Sequence, residues 1–108
     1  MSLSLPHAIA TYFSISNGGD DARLDDCFTQ DACVNDEEET HQGAEAIHVW
    51  LRAARDRFAY RVEPVSISRQ GDTIIVNATV TGTFPGSPVR LDHTFQLVDA
   101  KIRSLEIH

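Results

Sequence analysis

The stretch "TIIVNATVTGTF", residues 73 to 84, decides the fold. Ile74, Val76, Ala78, Val80, Gly82 and Phe84 alternate with Ile75, Asn77, Thr79, Thr81 and Thr83. A period of two sends successive side chains to opposite faces, so the stretch reads as one long, half-buried strand. Downstream, "PGSP" (85–88) turns the chain, Val89 to Val98 forms the next strand, Asp99 and Ala100 make a tight turn, and Lys101 to Ile107 forms the last strand. Upstream, Tyr60 to Arg69 is a strand bent or bulged at Pro64, and "QGD" (70–72) links it to the long one.

Before residue 60 the apolar period is 3.6. Ser4 and Pro6 open a first helix in which Leu5, Ile9, Tyr12, Phe13 and Ser16 share a side, and "NGGDD" (17–21) stops it. Asp20 or Asp21 caps a second, short helix whose buried stripe is Leu24, Cys27 and Phe28. "ACV" (32–34) reads as a brief strand, followed by the acids Asp36 to Glu39 in a loop that leads to Gly43. A third helix begins there, with Ile47, Trp50, Leu51, Ala54 and Phe58 on one face. Helices first and an antiparallel meander later give an α+β fold: three N-terminal helices packed on a curved, mainly antiparallel sheet. Such a cone has an apolar interior open at one end, a natural place for a small-molecule site.

The length of 108 residues allows one domain, spanning 1–108. A net charge of -7 disfavours nucleic acid, whose phosphates would meet a repulsive field. No stretch approaches the roughly 20 apolar residues of a membrane span. The opening "MSLSLPHAIATYF" lacks the basic segment of a secretory signal, so a cytoplasmic location is expected. Cys27 and Cys33 sit in apolar patterns and read as buried free thiols. No Cys/His cluster has zinc spacing, and the spacings among Asp36, His41 and His48 match no metal signature, so neither metal nor cofactor is assigned.

The element order, with "TYFSISNGGD", "CFTQDACVND", "HQGAEAIHVWL", "VTGTFPGSPVRLDHTFQL" and "KIRSLEIH", resembles the NTF2-like superfamily, in particular its SnoaL-like and ketosteroid-isomerase-like branch. The resemblance covers nearly the whole chain. It implies the cone fold and sheet-face homodimers, but not one activity, because the scaffold carries isomerases, cyclases, hydrolases, dehydratases and non-catalytic binders. Tyr12, Asn17, Asp20 and Asp36 fall at the separations expected of ketosteroid isomerases, in which an aspartate moves a proton beside a carbonyl while a tyrosine and a protonated aspartate hold the oxyanion. By resemblance, Asp36 takes the base position and Tyr12 that of the first donor. Ungapped counting makes Asp92 the second donor. Alternation from Val89 to Leu97 instead puts His93 on the apolar face and Asp92 outside.

The leading expectation is a protein that binds a small apolar or carbonyl-bearing molecule. If it is an enzyme, it performs cofactor-free acid/base chemistry, isomerase- or cyclase-like, with Asp36, Tyr12 and His93 as the catalytic set. Phe13, Phe28, Val34, Trp50, Phe58 and Phe95 would form the cavity wall. The rival is a non-catalytic ligand-binding or dimerisation module. An epoxide hydrolase is a third reading, in which Arg90 and Asp92 have the right spacing on the wrong strand. Asp36 inherits an inward direction from Val34 if strand geometry persists, while Glu37 to Glu39 stay solvated.

Overall fold

A computed structural model of the chain describes residues 4–57 and 59–107. Three helices lie on one six-stranded sheet: α1 (His7–Ser16), α2 (Leu24–Cys27), β1 (Phe28–Asp36), β2 (Glu39–Gln42), α3 (Ala44–Arg57), β3 (Tyr60–Gln70), β4 (Thr73–Gly82), β5 (Val89–Val98) and β6 (Lys101–Ile107). The strand order is β2-β1-β6-β5-β4-β3, and all neighbours are antiparallel except β1 and β6. The α+β architecture and the curved, mainly antiparallel sheet are as the sequence predicts.

Pro6 starts α1 without a side-chain cap, its carbonyl accepting from the Ala10 N–H. Asn17 ends α1 and ties it to β3, because its amide donates to the Val62 carbonyl (2.8 Å) and its carbonyl accepts from the Val62 N–H (2.7 Å). Asp20 caps a single 3-10 turn (Asp21–Arg23) that runs into α2. Gly43 stands immediately before α3 at φ +91°, and its carbonyl accepts from the Ile47 N–H. Glu45 in the first turn and Arg55 and Arg57 in the last suit the helix dipole. Ile47 and Leu51, one turn apart, are the buried residues of α3.

The strands differ from expectation on the N-terminal side. "ACV" is the middle of a nine-residue strand, and Phe28 begins that strand instead of extending α2. The acids form a hairpin. Glu37 (φ 53°) and Glu38 (φ 66°) make the two-residue turn, and Asp36 pairs with Glu39. Sequence alternation missed β2 because it lies at the sheet edge, with three of its four residues exposed. At the other end, β4 stops at Gly82 and does not reach Phe84.

Shifts of register between Pro64 and Ser66, between Gln96 and Leu97, and between Phe28 and Cys33 mark irregularities that bend the sheet. Inward side chains then line up in rows across the strands. Val34, Leu105, Phe95 and Ile74 form one row, all buried. The next contains His93 between Ile107 and Val76, and Asp36 follows Val34 on the same face of β1. Ile9, Ile15, Leu24, Ile47 and Leu51 close this face from the helix side.

Candidate functional site

One end of the core is polar. Asp36, the last residue of β1, is half-buried, and the Trp50 indole N–H donates to its Oδ2 at 3.1 Å. Burial pushes its carboxyl above the usual carboxylate range, opposed by the indole; the charge of Glu37 adds to the rise and His41 acts against it. His41 sits opposite Val34 in the hairpin, on the same face as Asp36, with its ring 5.9 Å from that of Trp50. Glu37, Glu38 and Glu39 are exposed. The acid run thus splits as predicted: one carboxyl turns toward the protein and three face water.

Three hydroxyls lie at the same end. Tyr12 is buried and hydrogen-bonds Ser16, one helical turn on. Ser16 Oγ is in turn 3.1 Å from the Tyr60 hydroxyl, at the start of β3. Burial raises the Tyr12 phenol well above its ordinary value, and the charges of Tyr60 and Asp36 raise it further. Burial also raises Tyr60, against the pull of the Ser16 hydrogen bond and of Arg55. Both phenols therefore remain protonated at neutral pH, as O–H groups able to donate. Reading the sequence missed Ser16 and Tyr60 as a pair because they are 44 positions apart, and it placed His41 in a loop. The resemblance singled out Asp36, and its two-residue offset from Val34 gave its inward direction.

His93 points inward and Asp92 outward, as the alternation predicts: His93 is 2% exposed, while Asp92 accepts a hydrogen bond from Asn77 on the outer face. His93 does not join the hydroxyl chain. Its Nδ1 lies 3.3 Å from the Leu91 carbonyl oxygen, and its ring stacks on Phe95 and meets Phe13 edge-on. Burial depresses its pKa to about 4, so it is a neutral imidazole.

The expected wall residues Phe13, Phe28, Val34 and Phe95 are core: each is at most 4% exposed, and the rings of Phe13, Phe28 and Phe95 all meet Tyr12 edge-on. Trp50 is half-buried at the Asp36 end. Phe58 lies outside the described residues. Among the described residues, two clefts flank Arg55. One of about 180 Å³ is lined by Ser16, Asn17, Gly18, Arg55, Ala59 and Tyr60, and so opens onto the hydroxyl chain. Of the two thiols, Cys27 is buried and inert, donating to the Leu24 carbonyl with its pKa pushed up to about 12. Cys33 is only half-buried, because it faces the outer side of the sheet. Among the described residues no group of three or more His, Cys, Asp or Glu side chains could hold a metal, and no helix is long and apolar enough to cross a membrane.

A bent six-stranded sheet over three helices is the cone fold of NTF2-like and cystatin-like proteins. The chain belongs to the SnoaL-like family, whose domain model matches residues 9–105. It is similar to a proposed polyketide cyclase from Sinorhizobium meliloti, at 40% identity and a TM-score of 0.92 over 96% of this chain and 95% of that one. A protein of ketosteroid-isomerase-like fold from Catenulispora acidiphila, solved with trimethylamine, shares 20% identity at a TM-score of 0.80, covering 97% and 86%. A proposed isomerase of the SnoaL-like family from Agrobacterium tumefaciens shares 18% identity at 0.77, covering 93% and 92%. No curated protein sequence matches the chain.

Proposed function

We propose that this protein binds a small, largely apolar molecule bearing a carbonyl and moves a proton beside that carbonyl, as an isomerase or cyclase working without a cofactor. The observation that carries this reading is the pairing, at one end of the core, of a half-buried carboxyl of raised pKa with protonated tyrosine hydroxyls. Asp36 takes the proton. A carboxyl brought toward neutral pH both accepts and returns a proton readily. The hydroxyls of Tyr12 and Tyr60 stabilise the enolate oxygen as it forms. Trp50 holds Asp36 in place through its indole N–H, and both that bond and the charge of His41 moderate its basicity. Likeness to a proposed polyketide cyclase supports a carbonyl-rich substrate.

A second reading, a non-catalytic binding or dimerisation module, is favoured by the dense aromatic packing of Tyr12, Phe13, Phe28 and Phe95, all at most 4% exposed. The two separate in deuterium oxide. The protein is incubated with a panel of cyclic enones and 1,3-diketones, and exchange of the protons next to the carbonyl is followed by NMR. Enzyme-dependent exchange that Asp36→Asn reduces by about two to four orders of magnitude supports the first reading. Exchange no faster than buffer across the panel, or an equally active Asp36→Asn protein, sinks it.

A further inference from the structure

Arg55, near the end of α3, is half-buried between two clefts. Among the described residues its guanidinium makes no direct ion pair, although it and Asp21 feel each other's charge across the larger cleft; its hydrogen bond is a long 3.5 Å contact from Nη1 to the Gly19 carbonyl. Arg52, one turn earlier, is different: it is exposed and held by Asp21 at 2.7 Å. A half-buried guanidinium whose fork of donors is not filled by a carboxylate keeps that fork available to a ligand.

The clefts on the two sides of Arg55 differ in charge. The larger, of about 340 Å³, carries the carboxylates of Asp20, Asp21 and Asp56. The smaller, of about 180 Å³, carries none: Arg55 there faces Ser16, Asn17 and Tyr60. Asn17 is committed to the Val62 backbone at both ends of its amide. The open polar groups are therefore the guanidinium and the half-buried Tyr60 hydroxyl, since Ser16 is buried between Tyr12 and Tyr60. An anion entering the larger cleft meets three like charges. One entering the smaller cleft meets a planar fork of donors on one wall and a hydroxyl on another.

We infer that Arg55 anchors a carboxylate of the ligand in the smaller cleft, so that the substrate class is a small carboxylic acid. A carboxylate matches the guanidinium fork with two parallel hydrogen bonds. The body of such a ligand would lie against Tyr60 and Ala59 in the same cleft. Phosphate, with its higher charge, is disfavoured by the three acids across Arg55. The inference rests on the reading of this end of the molecule as a binding site, but not on proton transfer.

The test uses benzoate, benzamide and inorganic phosphate as probes, titrated against the whole protein while backbone amide shifts are followed by NMR. Benzoate is expected to move the amides of Gly18, Arg55 and Tyr60 and to bind about tenfold more tightly than benzamide. Arg55→Gln should erase that preference, Arg55→Lys should leave part of it, and Arg52→Gln should preserve it within about twofold. Equal binding of benzoate and benzamide, phosphate competing as well as benzoate, or an unaltered preference in Arg55→Gln would overturn the inference. If carbonyl-adjacent exchange persisted alongside any of these results, the anchor would be wrong and the acid/base reading would stand.

Discussion

His93 shows what burial does to one side chain. It packs between Phe13 and Phe95, and in the folded chain its pKa falls to about 4, against about 6.5 for an exposed imidazole. A depressed folded value gives stability that is fully present above pH about 6.5 and is lost as pH falls through about 4. The amount is on the order of 3 kcal/mol. Urea melts between pH 7 and 4 should show this loss, and His93→Gln should flatten it even if that variant is less stable throughout. Asp36 works in the opposite sense. Its carboxyl is raised, so its contribution is fully present below the unfolded value of about 3.9 and fades as pH rises through the folded one. Asp36→Asn should therefore raise the melting temperature at pH 7 while removing any proton exchange; a fall of several degrees would show that the charge itself holds the fold. The inward direction of both residues was legible from alternation alone. Their partners were not, because the Leu91 carbonyl, Trp50, Ser16 and Tyr60 are brought in by bends and helix packing that no period encodes.

The hairpins show where local chemistry is poorly matched to the backbone. Of the two-residue hairpin turns, Gly71–Asp72 has a glycine, whereas Glu37–Glu38 and Asp99–Ala100 have positive φ throughout and contain none. Each such residue costs roughly 1 kcal/mol, because Cβ crowds the following carbonyl. Ala100 has the highest φ of its turn, 65°, and lies away from the candidate site. Ala100→Gly should raise the melting temperature by about 2–6 °C, the gain in the turn being partly offset by the freer unfolded chain. A lower melting temperature would show that the turn is not strained. These turns also explain what the sequence concealed. "DA" between two alternating runs was readable as a turn, since both flanking strands carry an apolar face. "EE" was not, because β2 presents "ETHQ" at an exposed edge and has no apolar face to display. The strands of the meander, buried on one side by the helices, were legible to within a residue or two at most ends.

At the scale of the whole molecule, the sheet face turned away from the helices is semi-polar. Ile75, Thr79 and Thr94 lie half-buried on it, and Gln96 and Asp92 are exposed. We expect this face to pair two copies about a twofold axis. Light scattering at micromolar concentration should give about twice the 12.0 kDa chain mass, and Thr94→Arg, which adds charge beside Ile75 and Glu106, should return it to the monomer. A wild-type mass of one chain would remove the dimer.

The parallel contact between β1 and β6 has a consequence in time. It joins residues about seventy positions apart, Cys33 beside Ser104, whereas β3, β4, β5 and β6 pair through turns between near neighbours. Closing the long loop is entropically slow, so the meander should form first and wait for the Asp36 hairpin to dock. In pulse-labelled refolding, amides of β4 and β5 should resist exchange before those of β1. The half of the molecule bearing Asp36 would then be the last to assemble, and proton-transfer competence would appear later than the bulk of the backbone signal.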